Sequence, residues 1–257
     1  MPFHSTTGVP ERILMFGPGG SGKTTSYLAI AKMLTATRSP SKIFVGDTDF
    51  AVQRMMVGGP VMKMEVLPLY AFSDYQAFGK KVAAEAGPGD WVVIDFMGSA
   101  WQAVQDHFVN EVFNQGIGDY FLKARKELAD GAKKLGALEG WTDWTVINAM
   151  YRDWVNNLLF RGQYNVFATA KVDQLSDARN PTEDTSTRQL FGRYMVKPVG
   201  QKDLPYQFHT LLLAGRDGQG RWTLNTVKDR ERPELVGKIV GNFALDYLRE
   251  IGGWSLK

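Results

Sequence analysis

The chain has 257 residues, 30 Lys and Arg against 27 Asp and Glu, a formal net charge of +3, 44% hydrophobic residues and no cysteine. It has the composition of a soluble globular protein with enough length for one sizeable α/β core or two small domains, and it excludes disulfides, thiolate metal sites and cysteine nucleophiles. No apolar run is long enough for a membrane span and no signal-peptide pattern opens the sequence, so a cytoplasmic location is the default expectation, and a net charge this small does not by itself imply nucleic acid.

The run "RILMF" (12–16) is apolar and bounded by polar residues, as a buried strand would be, while "TSYLAIAKMLTA" (25–36) has apolar residues at helical spacing. Between them, Gly17-Pro18-Gly19-Gly20-Ser21-Gly22-Lys23-Thr24 fits G-x-x-x-x-G-K-[ST] without a mismatch. Glycines let the chain turn tightly so that successive N–H groups point at phosphate oxygens, and the helix N-terminus adds its positive end. Lys23 suits the β- and γ-phosphates, the Thr24 hydroxyl suits Mg²⁺, and Thr25 extends the cradle. The plain reading is a glycine-rich turn with a chance lysine; the order strand, turn, helix argues against it.

Further along, "SKIFVGDTD" reads as a second strand ending in carboxylates, and "MEVLPLY" as a short third strand followed by a helix over about 73–86. "WVVIDF" is a strongly apolar strand. The stretch from about 101 to 145 is polar-rich with helical composition and is expected to leave the sheet as an excursion. "WTVINAMYRDWVNNLLFRG" reads as an amphipathic helix leading into the strand "YNVFATA". Residues 173–204 are polar without a clear period and read as a long loop. "QFHTLLLAG" and "RWTLNTVKD" form a hairpin round "RDGQG", and a last helix covers about 237–251. Alternating strands and helices predict an α/β fold over residues 1–257: one domain built on a doubly wound, mainly parallel sheet with a late antiparallel pair.

Asp95 ends its apolar strand where a Walker B carboxylate would hold Mg²⁺ through its water shell. The next residue is Phe96, so a water-activating glutamate directly after it is ruled out. Asp47 and Asp49 end the strand after the P-loop helix, on the side of such a sheet that faces the ligand crevice. A carboxylate there could orient and deprotonate an attacking water; Asp49 is the first choice and Asp47 the second, against an Asx-rich turn as the plain reading. His4, His107 and His209 lack metal-ligand spacing. A rival reading as a GTPase comes from the D-x-x-G at 95–98 and from "AKVD" at 170–173, which lacks the asparagine or threonine of N/T-K-x-D. A P-loop would equally suit a small-molecule kinase, or a nucleotide-gated scaffold with little turnover.

Together, "GPGGSGKTT", "VGDTD", "VVID" and "TVKDRERP" resemble the RecA/DnaB-like P-loop ATPases, over about residues 11–250. The nearest likeness is to phage-encoded members with a minimal RecA-like core acting in single-strand annealing and recombination. The resemblance implies Mg-dependent ATP hydrolysis, a homo-oligomeric ring or filament, single-stranded DNA as partner and, for a phage protein, the host cytoplasm. Asp49 stands where that family usually has a glutamate, one methylene longer. Lys171, ending the strand after Asp95, stands where a sensor of the γ-phosphate is usual. Lys228 and Arg230 match a K-x-R element that reaches a neighbouring subunit's ATP; two cations at alternate strand positions share a face, and the plain reading is a solvated charge run. The loop after Lys171 is where such proteins contact DNA. Here it carries Arg179, Arg188, Arg193, Lys197 and Lys202, with Phe191 and Tyr194 interleaved, as suits phosphate tracking and base stacking on single strands. The plain reading is a surface or subunit-contact loop.

Overall fold

The structure is a computed structural model and describes residues 3–4, 8–56, 63–129, 142–177, 182–251 and 254–256. Its elements begin with β1 (Phe3–His4), β2 (Arg12–Phe16), α1 (Lys23–Ala36), β3 (Ile43–Asp47), α2 (Ala51–Met56), β4 (Met64–Pro68), α3 (Phe72–Glu85) and β5 (Trp91–Asp95). Next come α4 (Met97–Phe113), α5 (Ile117–Ala129), α6 (Thr142–Leu159), β6 (Asn165–Ala170), β7 (Val172–Gln174), α7 (Thr185–Phe191), β8 (Val196–Pro198) and α8 (Leu204–Gln207). β9 (Thr210–Arg216), β10 (Trp222–Asp229), a 3₁₀ turn (Pro233–Leu235), β11 (Ile239–Val240), a π-helix (Phe243–Ile251) and β12 (Ser255–Leu256) follow.

Eight strands form one sheet in the order β11-β10-β9-β2-β6-β5-β3-β4. The six from β9 to β4 run parallel, and β10 and β11 are added antiparallel at one edge. This is the doubly wound, mainly parallel sheet with a late antiparallel pair that the strand–helix alternation predicts. Burial on both faces explains why the strands read as continuous apolar runs. On β2, Leu14 and Phe16 join a core with α3, α4 and α6. Ile13 and Met15 point the other way, to α1 and the π-helix. Arg12, buried at the start of β2, donates to the carbonyls of Leu159, Gly162 and Tyr164, so it covers carbonyls left bare where α6 ends and ties that helix to the sheet.

Three expectations need correction. The excursion does not begin at residue 101: Ala100, Val104 and Phe108 of α4 are buried in the core, against α3 and α6, and α5 follows. Part of that excursion, residues 130–141, lies outside the described residues. Residues 173–204 are not a structureless loop, since β7 pairs with β8 and α7 stands between them, N-capped by Asp184, whose carboxylate accepts from the Thr187 N–H at 2.7 Å. The last helix starts at Phe243 rather than 237, because Ile239–Val240 extends the sheet edge. Among the described residues no helix is long and apolar enough to cross a membrane.

Candidate nucleotide site

The C-terminal ends of β2, β6, β5 and β3 lie side by side, and every candidate of the nucleotide centre except Lys228 and Arg230 is carried there. Gly20 and Gly22 take φ of +72° and +87°, a region that disfavours side chains, and Gly22 is the N-cap of α1. Open space surrounds the missing Cβ atoms of Gly19 and Gly20, whereas a Cβ on Gly17 would meet the Ala214 carbonyl oxygen at 2.4 Å. Two glycines therefore leave room above the loop and one lets it pass close to β9. Pro18, Gly19 and Gly20 are exposed, and Ser21 is buried beneath them.

Lys23 is 7% exposed, with its ammonium donating to the carbonyls of Gly17 and Pro18 at 2.8 Å each. Burial pushes its pKa down, and the Asp95 and Asp49 carboxylates act against that shift. Asp95 is fully buried and accepts three hydroxyls, from Thr24 at 3.1 Å, from Tyr27 at 2.9 Å and from Thr169 by a short bond. Burial raises its pKa despite those donors. The Thr24 hydroxyl and the Asp95 carboxylate are close enough to serve one Mg²⁺ together, and Mg²⁺ takes one or two protein oxygens and completes its shell with water and phosphate. Among the described residues no cluster of three or more His, Cys, Asp or Glu offers another metal site.

The two candidate bases differ in environment. Asp47, at the strand end, is 3% exposed and accepts from the N–H groups of Asp49 and Val52, so it caps the turn into α2. Burial raises its pKa. Asp49 is exposed on the crevice, and its carboxylate accepts from the Ala51 N–H at 3.1 Å. The geometry thus favours Asp49 over Asp47 for contact with a reacting water. Asp49→Asn is expected to leave ATP binding intact and to slow phosphate release by about 10²-fold or more, the range for loss of a general base. Equal turnover would remove Asp49 from the mechanism.

Lys171 extends from the end of β6, and its ammonium lies 5.2 Å from the centre of the Phe96 ring, with the Lys23 ammonium 5.8 Å from the same ring. The two cations therefore flank one aromatic side chain beside Asp95. Sequence reasoning missed three contributors. Tyr27 lies one helical turn after Thr24, which puts both hydroxyls on the same side of α1. Thr169 is a polar residue within the apolar run of β6, next to Asp95 across the strands. Phe96 shows in the sequence only as a missing glutamate.

Lys228 and Arg230 stand elsewhere. β10 pairs antiparallel with β9, so Lys228 lies opposite Leu211, near the start of β9, away from the P-loop end. A bulge at Val227 and the end of the strand at Asp229 break the simple alternation between the two cations. Lys228 donates to the carbonyls of Pro205 and Phe208, and burial pushes its pKa down to about 8. Arg230 is exposed and reaches the Tyr206 carbonyl at 3.4 Å.

In the segment after Lys171, Arg188 and Lys197 both pair with Glu183, at 3.2 and 2.7 Å, and Lys197 with Ser176 holds the Glu183 carboxyl down to about 2. Phe191 is 1% exposed and packs edge-on against Phe16, 5.7 Å between centroids, so its ring is a core contact and not a stacking face. Tyr194 is half-buried and its hydroxyl lies 3.5 Å from the Thr226 carbonyl. Arg193 is exposed, 5.9 Å from the Tyr194 ring centre. Arg179 lies outside the described residues.

No family model matches the chain, and no curated protein sequence matches it. Among solved structures, the crystal structure of the RadB recombinase is similar at 18% identity, over 90% of this chain and 86% of that one, with a TM-score of 0.45. That likeness is distant, and the site's own geometry carries its interpretation.

Proposed function

We propose that this chain is a Mg-dependent ATP hydrolase with a RecA-like core, acting on single-stranded DNA in recombination or replication of the phage type. The observation that supports it most directly is the joining of Lys23, Thr24 and buried Asp95 at the C-terminal ends of two parallel strands, β2 and β5, with β6 between them. The P-loop N–H groups and Lys23 would bind the phosphates, and Thr24 with Asp95 would hold Mg²⁺. Bound Mg²⁺ supplies charge neutralisation for the transferring phosphoryl group. Asp49 orients and deprotonates water from the open side of the crevice. Lys171, beside Lys23, senses the terminal phosphate and passes its state to the segment that begins at β7.

The DNA and assembly parts rest on the resemblance and on the position of that segment next to the phosphate end. With Phe191 in the core and Arg188 and Lys197 held by Glu183, the contact surface in this conformation is Arg193, Tyr194 and Lys202. Lys228 and Arg230 act toward a neighbouring subunit, exchanging their carbonyl partners in and beside α8 for its nucleotide. Phosphate release, measured over a range of protein concentrations with and without a single-stranded oligonucleotide, tests the whole reading. Stimulation by the oligonucleotide, lost as salt is raised, and a rate per chain that rises with concentration are the expected results. A concentration-independent rate that DNA leaves unchanged would reduce the protein to a P-loop hydrolase without these partners.

A further inference from the structure

A nucleotide held by the P-loop has to rest its base somewhere, and the loop fixes the direction in which the phosphates run. The Thr24 hydroxyl and Asp95, with Lys23 turned to the Gly17 and Pro18 carbonyls, mark the terminal-phosphate end. Along the other side of the first turns of α1, Thr25, Ser26 and Ala29 line a shallow cleft of about 60 Å³, closed by Trp222, Leu224 and Asn242. It is too small to enclose a base, which would have to lie across its mouth.

Trp222 opens β10 and is 45% exposed, whereas Trp91, Trp154 and Trp254 are buried. Its indole lies against the loop: a Cβ on Gly22 would stand 3.4 Å from the ring. The Arg216 guanidinium sits 5.6 Å from the centre of the indole ring system, and its Nη2 reaches the Gly20 carbonyl at 3.3 Å. An exposed indole is thus held by two contacts at the mouth of a phosphate-binding loop. A large aromatic left half in water at such a point is the kind of surface that stacks on a ligand ring.

The geometry points to Trp222 as the platform on which the nucleotide's base stacks, with Leu224 and Ala29 as its apolar surroundings and Arg216 as the residue that positions the indole. The ligand class is a purine nucleoside triphosphate, because a purine covers more of an indole face than a pyrimidine does. The assignment rests on the nucleotide-binding reading of the P-loop, so its test must separate the two.

Binding of Mg-ATP, Mg-CTP and Mg-tripolyphosphate is measured by calorimetry for wild type, Trp222→Ala and Trp222→Phe, with melting curves to verify folding. Trp222→Ala is expected to weaken ATP about tenfold, the order contributed by one base–aromatic stack, and to leave tripolyphosphate unchanged. Trp222→Phe keeps most of the ATP affinity, and wild type binds ATP more tightly than CTP by a margin that shrinks in Trp222→Ala. Should alanine loosen the sheet edge, Trp222→Leu gives the same comparison with an apolar side chain that has no π face. Equal ATP affinity in wild type and Trp222→Ala overturns the platform. A parallel loss of tripolyphosphate binding also overturns it, since Trp222 would then only shape the loop. Wild type that binds neither ATP nor tripolyphosphate overturns the P-loop reading itself, and the platform with it.

Discussion

Asp95→Asn should lower Mg-dependent phosphate release by about 10²-fold or more, the loss typical when one group stabilising the transferring charge is removed. It should do so without costing the nucleotide-free protein any stability. Asp95 is a fully buried carboxylate, and its hydrogen-bond donors do not offset the desolvation that raises its pKa. A group whose folded pKa is raised stabilises the fold below its unfolded value, 3.8 here, and loses that contribution as pH rises through the folded pKa. At neutral pH the ionised form is therefore a burden. Asparagine removes it, and the Thr24, Tyr27 and Thr169 hydroxyls can turn to accept as well as donate. The variant should melt at or above wild type at pH 7.5, with the difference closing as pH is lowered toward 4, while Mg-ATP no longer raises its melting temperature. A variant that Mg-ATP still stabilises as strongly as wild type would take Asp95 out of the metal site. One that melts well below wild type would show that the carboxylate holds the fold together.

That combination, a side chain unfavourable for the fold by itself yet needed by the proposed hydrolysis, accounts for how legible the proposed phosphate end of the site is in the sequence. The P-loop needs glycines at fixed positions, a lysine and a hydroxyl in one unbroken run, and Asp95 is the lone carboxylate in "WVVID". Constraints of this kind are local and leave a mark in one segment. The neighbours of Asp95 leave weaker marks, because Tyr27 and Thr169 are contributed by a helix and a strand that meet it only once the sheet order is known. The contest between Asp47 and Asp49 likewise needs the backbone, which turns the first into the α2 turn and leaves the second open.

The segment from 173 to 204 misleads for a different reason. β7 and β8 have three residues each, too few to show a period of two, and α7 has seven. What organises them is one near-buried carboxylate, Glu183, that gathers Ser176, Arg188 and Lys197 from the surrounding chain. In the sequence Arg188 and Lys197 read as cations free to track a phosphate backbone. Pairing at distances of five and fourteen residues has no local signature.

"TVKDRERP" carries the same lesson, and the second large effect is expected there. Arg232 does not stand out in that charge run, yet its guanidinium joins Glu11 at 3.1 Å and Asp229 at 3.0 Å, with side-chain exposures of 14%, 6% and 0%. Asp229 also accepts from the Tyr247 hydroxyl, and Trp254 donates to Glu11 at 3.3 Å, so one cation ties the start of β2 and the end of β10 to the C-terminal segment. Removing one partner of a buried ion pair strands the other charge, at a cost of about 3–5 kcal/mol. Arg232→Ala should therefore melt roughly 10 °C below wild type. Arg230→Ala, two residues away but exposed with a single long contact, should change stability by less than about 0.5 kcal/mol. Burial already raises the Glu11 pKa above 4.5, and loss of Arg232 raises it further. By the same sign rule, Glu11 stabilises the variant below that value and ceases to as pH rises, so the deficit should be larger at pH 8 than at pH 5. Melting curves of both variants at the two pH values decide it. A deficit independent of pH would mean that Arg232 acts through packing on Tyr247, 5.4 Å from its ring centre, rather than by countering buried carboxylates.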